Sequence, residues 1–229
     1  MEIQMVHREE IGYPACFNDL SKRPSPLYYK GDLTLLGKGN CVAVIGKRDA
    51  EPASLENAET YGRLLSEKGY TVVNGIARGT DQAAIQGVIK AKGKAVLVMP
   101  CGLDLAYPAS AKTMMAAILK LGGCVISEYD IGVRPQKSYF LQRDRLQAAI
   151  ADKVLVVEAD EQGGTMTTIQ HAIKLGKPIA CVVGTDGNSR YGGNRKIVDM
   201  KQGIGVYDEE SMMNFVREPA FVQMSLIFS

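Results

Sequence analysis

Two cationic side chains follow a glycine at the end of an apolar run, Val42-Ala43-Val44-Ile45-Gly46-Lys47-Arg48. Glycine lets a ligand approach the backbone, amides donate to it, and Lys47 and Arg48 add fixed positive charge, so the set suits an anion. A second set is Glu158-Ala159-Asp160-Glu161-Gln162-Gly163-Gly164-Thr165-Met166-Thr167-Thr168, a glycine pair leading into hydroxyl residues at a helix start. Unpaired amides there, backed by the positive end of a helix dipole, suit a phosphate. Asn74-Gly75-Ile76-Ala77-Arg78-Gly79-Thr80-Asp81 adds Arg78 and Gly79, with Thr80 or Asp81 able to cap the next helix. In Phe140-Leu141-Gln142-Arg143-Asp144-Arg145-Leu146-Gln147 a helix puts Arg143 and Gln147 on one face and points Arg145 elsewhere. One arginine is therefore expected to face a ligand while the other pairs with Asp144 or Asp152. Each set also has a plainer reading, in which glycines serve tight turns, Asp81 and Thr165 cap, and the charges cover a solvated face.

The elements that must position these residues alternate along the chain. Short runs rich in Val and Ile, apolar on both faces, occur at 42–46, 71–74, 95–99, 124–127, 154–157 and 179–183, as strands covered on both sides require. Helical spacing separates them: Leu55, Ala58, Tyr61 and Leu65 after Pro52, then Ala84, Val88 and Ala91 within about 79–92, then Ala117, Ile118 and Leu121, and later Ile169, Ala172 and Ile173. The alternation predicts βαβ units, hence an α/β fold with a doubly wound, mostly parallel sheet in a three-layer Rossmann-like domain. Ligands of such sheets sit at the carboxyl ends of the strands, where the polar loops above would meet. Residues 1–40, with Tyr13-Pro14 and Arg23-Pro24-Ser25-Pro26, are expected to form an N-terminal extension packed on the core, in which Leu27-Tyr28-Tyr29 could add an edge strand. The domain proper is expected over 41–217, followed by an apolar tail at 218–229 that packs on the domain or on a second subunit.

Composition narrows the function classes. At 229 residues the chain can build one large α/β core, and 46% hydrophobic with 23% charged residues is ordinary for a soluble globular protein. No window approaches the ~18 apolar residues of a membrane span, and Met1-Glu2-Ile3-Gln4 carries acid where a secretory signal is basic, so a cytoplasmic protein is expected. Cys16, Cys41, Cys101, Cys124 and Cys181 are odd in number and mostly embedded in strands, which favours reduced buried thiols. With two histidines, His7 and His171, a histidine-rich metal centre is excluded; no metal and no cofactor are expected. A net charge of +2 means that any nucleic-acid surface must be a local patch.

The motifs, taken in order, resemble the DprA/Smf family of bacterial DNA-processing proteins across residues of about 13–206. They are Tyr13-Pro14 with Pro26-Leu27-Tyr28 and Gly31, Gly46-x-Arg48, Gly75-Ile76-Ala77-x-Gly79-x-Asp81, Gly102-Leu103-Asp104 with Tyr107-Pro108, Ser127-Glu128, Phe140-x-x-Arg143-x-Arg145, Val157-Glu158-Ala159 with Gly164 and Thr168, and Gly184 with Gly192 and Asn194. The resemblance implies an extended Rossmann fold that dimerises, binds single-stranded DNA in a basic pocket at the strand ends and assists loading of the recombinase RecA during natural transformation. It also implies that Arg48, Arg143 and Arg145 contact phosphates; Lys47 and Arg78 join them on position and charge. The chain departs from the family pattern at Lys47, Ile85, Ala111, Asp144 and Gly163.

Two functions of different class are thus carried forward. In one, a non-catalytic module holds the backbone of single-stranded DNA through cations and amides, with Tyr139 or Phe140 available to stack on a base. In the other, the pocket takes a nucleotide-like small molecule. Gly163-Gly164-Thr165 is similar to the Gly-Gly-x-Gly-Thr loop of lysine-decarboxylase-like nucleoside-monophosphate phosphoribohydrolases, but Met166, Thr167 and Thr168 stand where those enzymes place a catalytic glutamate. Glu128 and Glu158 remain as strand-end carboxylates that could stabilise an oxocarbenium-like ribose or cap a neighbouring loop.

Overall fold

Strands that are apolar on both faces need cover on both sides, and the computed structural model, which describes residues 1–183 and 189–219, supplies it. Among the described residues nine strands form one sheet: β1 (Gln4–Val6), β2 (Leu27–Gly31), β3 (Cys41–Ile45), β4 (Thr71–Asn74), β5 (Ala95–Met99), β6 (Cys124–Ser127), β7 (Lys153–Val156), β8 (Ile179–Val182) and β9 (Ile204–Val206). Their spatial order is β1-β2-β6-β5-β4-β3-β7-β8-β9. From β6 to β9 every pairing is parallel, while β1–β2 and β2–β6 are antiparallel. This is the α/β, doubly wound, mostly parallel Rossmann-like architecture expected from the alternation.

The helices are α1 (Pro52–Glu67), α2 (Thr80–Lys90), α3 (Lys112–Lys120), α4 (Lys137–Ile150), α5 (Gly164–Lys174), α6 (Gly192–Asp199) and α7 (Glu209–Arg217). Tyr61, Leu65, Ile85, Val88, Ile118 and Phe215 of α1, α2, α3 and α7 pack on one face of the sheet. Leu146, Ile150, Ile169, Ala172 and Ile197 of α4, α5 and α6 pack on the other, with Phe17 from the N-terminal region. Each fully buried Leu, Ile or Phe contributes about 1.5–3 kcal/mol by leaving water. Ile85, one of the departures, is fully buried in this core. Among the described residues no helix is long and apolar enough to cross a membrane.

The N-terminal region differs from expectation. β2 is an interior strand between β1 and β6, and the edge is the three-residue β1, which carries no period-two signal long enough to read. Strand β9 and helices α6 and α7 likewise lack a clear sequence signal. Gly184 and most of the 218–229 tail lie outside the described residues.

The topology creates the site. From β3 the chain winds through β4, β5 and β6 to one side, then crosses by α4 to β7 on the other side of β3. The loops after β3 and β7 therefore diverge and leave a crevice at the carboxyl ends of the strands.

Candidate functional site

A cleft of about 660 Å³ opens at that crevice. Its walls are the Gly46–Asp49 turn, the loop from Asp160 to Thr165, and the start of α4 with Lys137 and Phe140; Asp81, Arg143, Asp144 and Gln147 form its floor.

The turn after β3 is fixed against α2. Thr80 donates to the Lys47 carbonyl through both its amide and its Oγ1, each at 3.1 Å. Gly79, with φ +79°, makes this approach feasible, because a Cβ there would lie 2.4 Å from the Arg48 carbonyl oxygen and 2.5 Å from that of Lys47. The start of α4 is placed by the loops after β5 and β6. The Gly102 amide donates to Val133 O at 2.9 Å, the Gly132 amide to Asp104 Oδ1 at 2.9 Å, and Ser127 Oγ to Cys101 O at 2.7 Å. The Gly102-Leu103-Asp104 and Ser127 motifs are thus scaffolding that brings Pro135, Gln136 and Lys137 to the cleft.

The floor is a buried charge cluster. Arg143, 5% exposed, donates from Nη1 to Val98 O at 3.3 Å and holds Nε 2.9 Å from Asp144 Oδ1. Its guanidinium lies on the backbone of Gly75, where a Cβ would fall 0.8 Å from Nη1. Asp81 Oδ2 accepts from the amides of Gly75 and Ala77, each at 3.1 Å, and Gln147 Nε2 donates to Asp144 Oδ1 at 3.0 Å. Burial raises the Asp144 carboxyl to about 6, against the opposing pull of Arg143, and raises that of Asp81 for the same reason. One guanidinium thus serves two carboxylates, and the floor carries no net positive charge.

Pairing also accounts for several wall residues. Lys47 Nζ lies 2.9 Å from Asp160 Oδ1 and 3.8 Å from Glu158 Oε1. Glu158, fully buried, accepts from the Glu51 amide at 2.9 Å and from Arg190 Nε at 3.0 Å, so it ties three segments together. Arg145 pairs with Glu128, and not with Asp144 or Asp152, because its position on α4 turns it away from the cleft toward the end of β6. Asn194 Nδ2 donates to the carbonyls of Val156, Val157 and Val182, a structural clamp on β7 and β8.

Among the described residues two cations that line the cleft form no ion pair, Arg48 and Lys137, both exposed. Arg48 sits 5.2 Å above the Phe140 ring, whose edge-on neighbour is Tyr107 at 5.6 Å. Opposite them, helix α5 begins at Gly164 with no side-chain cap, and Gly163 and Gly164 border open space. Its first amides are available to an acceptor.

The structure gathers Gly46, Lys47, Arg48, Arg143, Gly163, Gly164 and Thr165 around one cleft, and leaves Arg78, Gly79 and Arg145 out of its lining. Lys137 is a site residue that sequence reasoning missed, although a lysine at the first turn of the helix carrying Arg143 was a usable signal. Among the described residues no group of three or more His, Cys, Asp or Glu side chains is placed to hold a metal. Burial pushes the thiols of Cys16, Cys41, Cys124 and Cys181 up to about 12, which leaves them unreactive.

A parallel sheet with antiparallel additions at one edge, and a cationic and aromatic cleft at its switch point, define a Rossmann-like α/β domain with a candidate ligand site. The model of the family described as DNA recombination-mediator protein A matches residues 4–217, and the chain belongs to that family. It is 32% identical over 173 residues to the DNA processing protein DprA of Streptococcus pneumoniae, covering 76% of this chain and 60% of that protein. To DprA of Bacillus subtilis it is 28% identical over 186 residues, covering 81% of this chain and 62% of that one. The chain therefore spans about 60% of the length of these relatives. The solved structure of DNA processing protein A from Helicobacter pylori superposes with a TM-score of 0.83 at 29% identity, covering 95% of each chain.

Proposed function

We propose that the cleft binds single-stranded DNA without acting on it chemically. The observation that carries this reading is that two cations without an ion-pair partner, Arg48 over the Phe140 ring and Lys137, line the same cleft as the uncapped start of α5. Cations and amides suit phosphates, and an aromatic face suits bases of any sequence. The Helicobacter pylori relative has been described for its single-stranded DNA binding mode, which supports the same ligand here. On this reading the protein acts in the cytoplasm during DNA uptake or recombination, protects the strand, and assists RecA loading as a homodimer. Light scattering tests the dimer, and a RecA filament assay tests the loading.

The occupied state of the strand-end acids favours binding over hydrolysis. Glu128 is engaged by Arg145, Glu158 by Arg190 and the Glu51 amide, and Asp160 by Lys47. Incubation with nucleoside monophosphates is expected to release no free base.

The decisive test is fluorescence anisotropy of a labelled oligothymidylate at two salt concentrations, with Arg48→Ala and Lys137→Ala. Each variant is expected to weaken binding and to lower the salt slope by about 0.7, the share of one phosphate on a single strand. No binding at low salt, or an affinity indifferent to salt, would refute the reading.

A further inference from the structure

At the amino ends of the strands, the end of the sheet away from the cleft, four turns carry exposed lysines: Lys38 before β3, Lys68 before β4, Lys92 and Lys94 before β5, and Lys120 before β6. These four strands are neighbours in the order β6-β5-β4-β3, so their turns lie side by side. Contacts between the turns confirm it. Asn40 Nδ2 donates to Gly69 O at 2.8 Å, a Cβ on Gly93 would lie 2.3 Å from Ser66 Cβ, and one on Gly122 would lie 3.9 Å from Lys94 Nζ. None of these lysines forms an ion pair among the described residues, and Glu67, the acid within the turns, is taken by Arg63 at 2.9 Å. Asp32 and Glu2 border the patch beside Gly122. In a chain of net charge +2 these turns therefore concentrate positive charge, about 15 Å from the cleft end of the five-residue strands β3 and β5.

The helix dipole accounts for Lys120 in the last turn of α3 and for Lys68 at the end of α1. It does not account for Lys92. Helices α1, α3 and α5 are each followed by a glycine of positive φ, Gly69, Gly122 and Gly176, whereas α2 and α6 set Lys92 and Lys201 in the same left-handed conformation, at φ +55° and +53°. Glycine would fill either position without strain, so each lysine stands there at a conformational cost. None of the four turns carries an exposed aromatic or large apolar side chain. The surface thus offers charge without a stacking platform or an apolar wedge, which suits phosphates whose bases are turned inward. A duplex presents that chemistry at one negative charge per about 1.7 Å of axis, or about eight phosphates across the ~14 Å that four neighbouring strands span.

We propose that these lysine turns are a second nucleic-acid surface, separate from the cleft, that holds the backbone of a DNA duplex without reading its sequence. The two surfaces lie at opposite ends of the sheet, so both can be occupied at once.

The test uses the full chain and anisotropy of a labelled blunt duplex of mixed sequence at two salt concentrations. Lys38→Gln, Lys94→Gln and Lys120→Gln combined are expected to weaken duplex binding about tenfold or more and to flatten the salt slope by about 2.7, the share of three phosphates on a duplex. Lys92→Gly is expected to weaken it several-fold while holding or raising Tm, a combination that a merely structural lysine would not give. A short oligothymidylate in excess is expected to leave the duplex bound. No duplex binding at low salt, a triple variant or Lys92→Gly that binds duplex as the parent does, or complete displacement by oligothymidylate overturns the second surface. Binding to vesicles of phosphatidylglycerol and phosphatidylcholine without binding to duplex overturns it too, and assigns the turns to a lipid surface. The duplex titration reads these turns whatever the single-strand titration gives, so failure of one reading is distinguishable from failure of the other.

Discussion

Replacing Gly75 with alanine isolates the contact on which the cleft floor depends. Gly75 has no positive φ, so its backbone tolerates a side chain and any effect must come from collision. The added Cβ would lie 0.8 Å from Nη1 and 1.8 Å from Cζ of Arg143, a guanidinium 5% exposed with nowhere to retreat inside the floor. Arg143 must then swing out, giving up its bond to Val98 O and its pairing with Asp144. A hydrogen bond to a charged group contributes about 1.5–3 kcal/mol and breaking a buried pair costs about 3–5 kcal/mol. Asp144 can relieve part of this by taking a proton, since burial already raises it to about 6. The expected loss is about 2–4 kcal/mol, or a fall in Tm of roughly 5–15 °C for a chain of this size. Urea unfolding near neutral pH measures it, and the same substitution in an Arg143→Ala background tests the cause, because the cost should vanish once the guanidinium is gone. A Gly75→Ala protein within about 0.5 kcal/mol of the parent, or a cost that persists without Arg143, would refute the argument.

Asp144→Asn should stabilise the protein, and do so only at higher pH. Folding raises this carboxyl from 3.8 to about 6, so its contribution to stability is fully present below about pH 4 and is lost as pH rises through about 6. The gain from asparagine should approach, at most, about 3 kcal/mol at pH 8 and fade to nothing near pH 4, as urea midpoints at the two pH values would show. Lys47→Met should weaken oligonucleotide binding less than Arg48→Ala yet lower stability more, because Lys47 is held by Asp160 beside the buried Glu158; the reverse ranking in paired titration and unfolding experiments would sink the distinction. Lys153 is buried and caps the end of α7 by donating to Phe215 O at 2.8 Å, Val216 O at 2.7 Å and Glu218 O. Lys153→Met should cost about 1–3 kcal/mol and remove hydrogen-exchange protection first from α7, whereas unchanged protection there would contradict the capping role.

The sheet was legible because buried parallel strands write themselves as Val- and Ile-rich runs, and six of them matched β3 to β8 to within a residue or two. Strands β1 and β9 were not, since three residues are too few for a period to show. The loops of the site were legible as glycine and charge at strand ends, but the roles within them were not. Gly79 resembles a phosphate-binding glycine in sequence, and only the approach of Lys47 and Arg48 carbonyls reveals it as a packing position. Arg143 and Arg145, two residues apart, differ because a helix turns them to different partners, Asp144 at the cleft floor and Glu128 beyond it. Lys137 joins the site only because residues 129–136 are pinned back by Asp104 and Gly102, a constraint with no local signature.

Pairing also sets how strongly the cleft can attract a polyanion. At the distance of a Debye length, about 8–10 Å, a phosphate meets Lys47 with Asp160, or Arg143 with Asp81 and Asp144, as near-neutral groups and not as single cations. Long-range attraction then falls to Arg48 and Lys137, in keeping with a chain whose net charge is only +2. Two phosphates neutralised on a single strand give a salt slope near −1.4, since each contributes about −0.7. The amides at the start of α5 act at contact distance and add specificity of position without displacing counterions. A measured slope several times steeper would mean that the strand continues beyond the cleft onto exposed cations such as Arg78 and Arg134, so the slope itself reports how much of the bound strand the cleft contains.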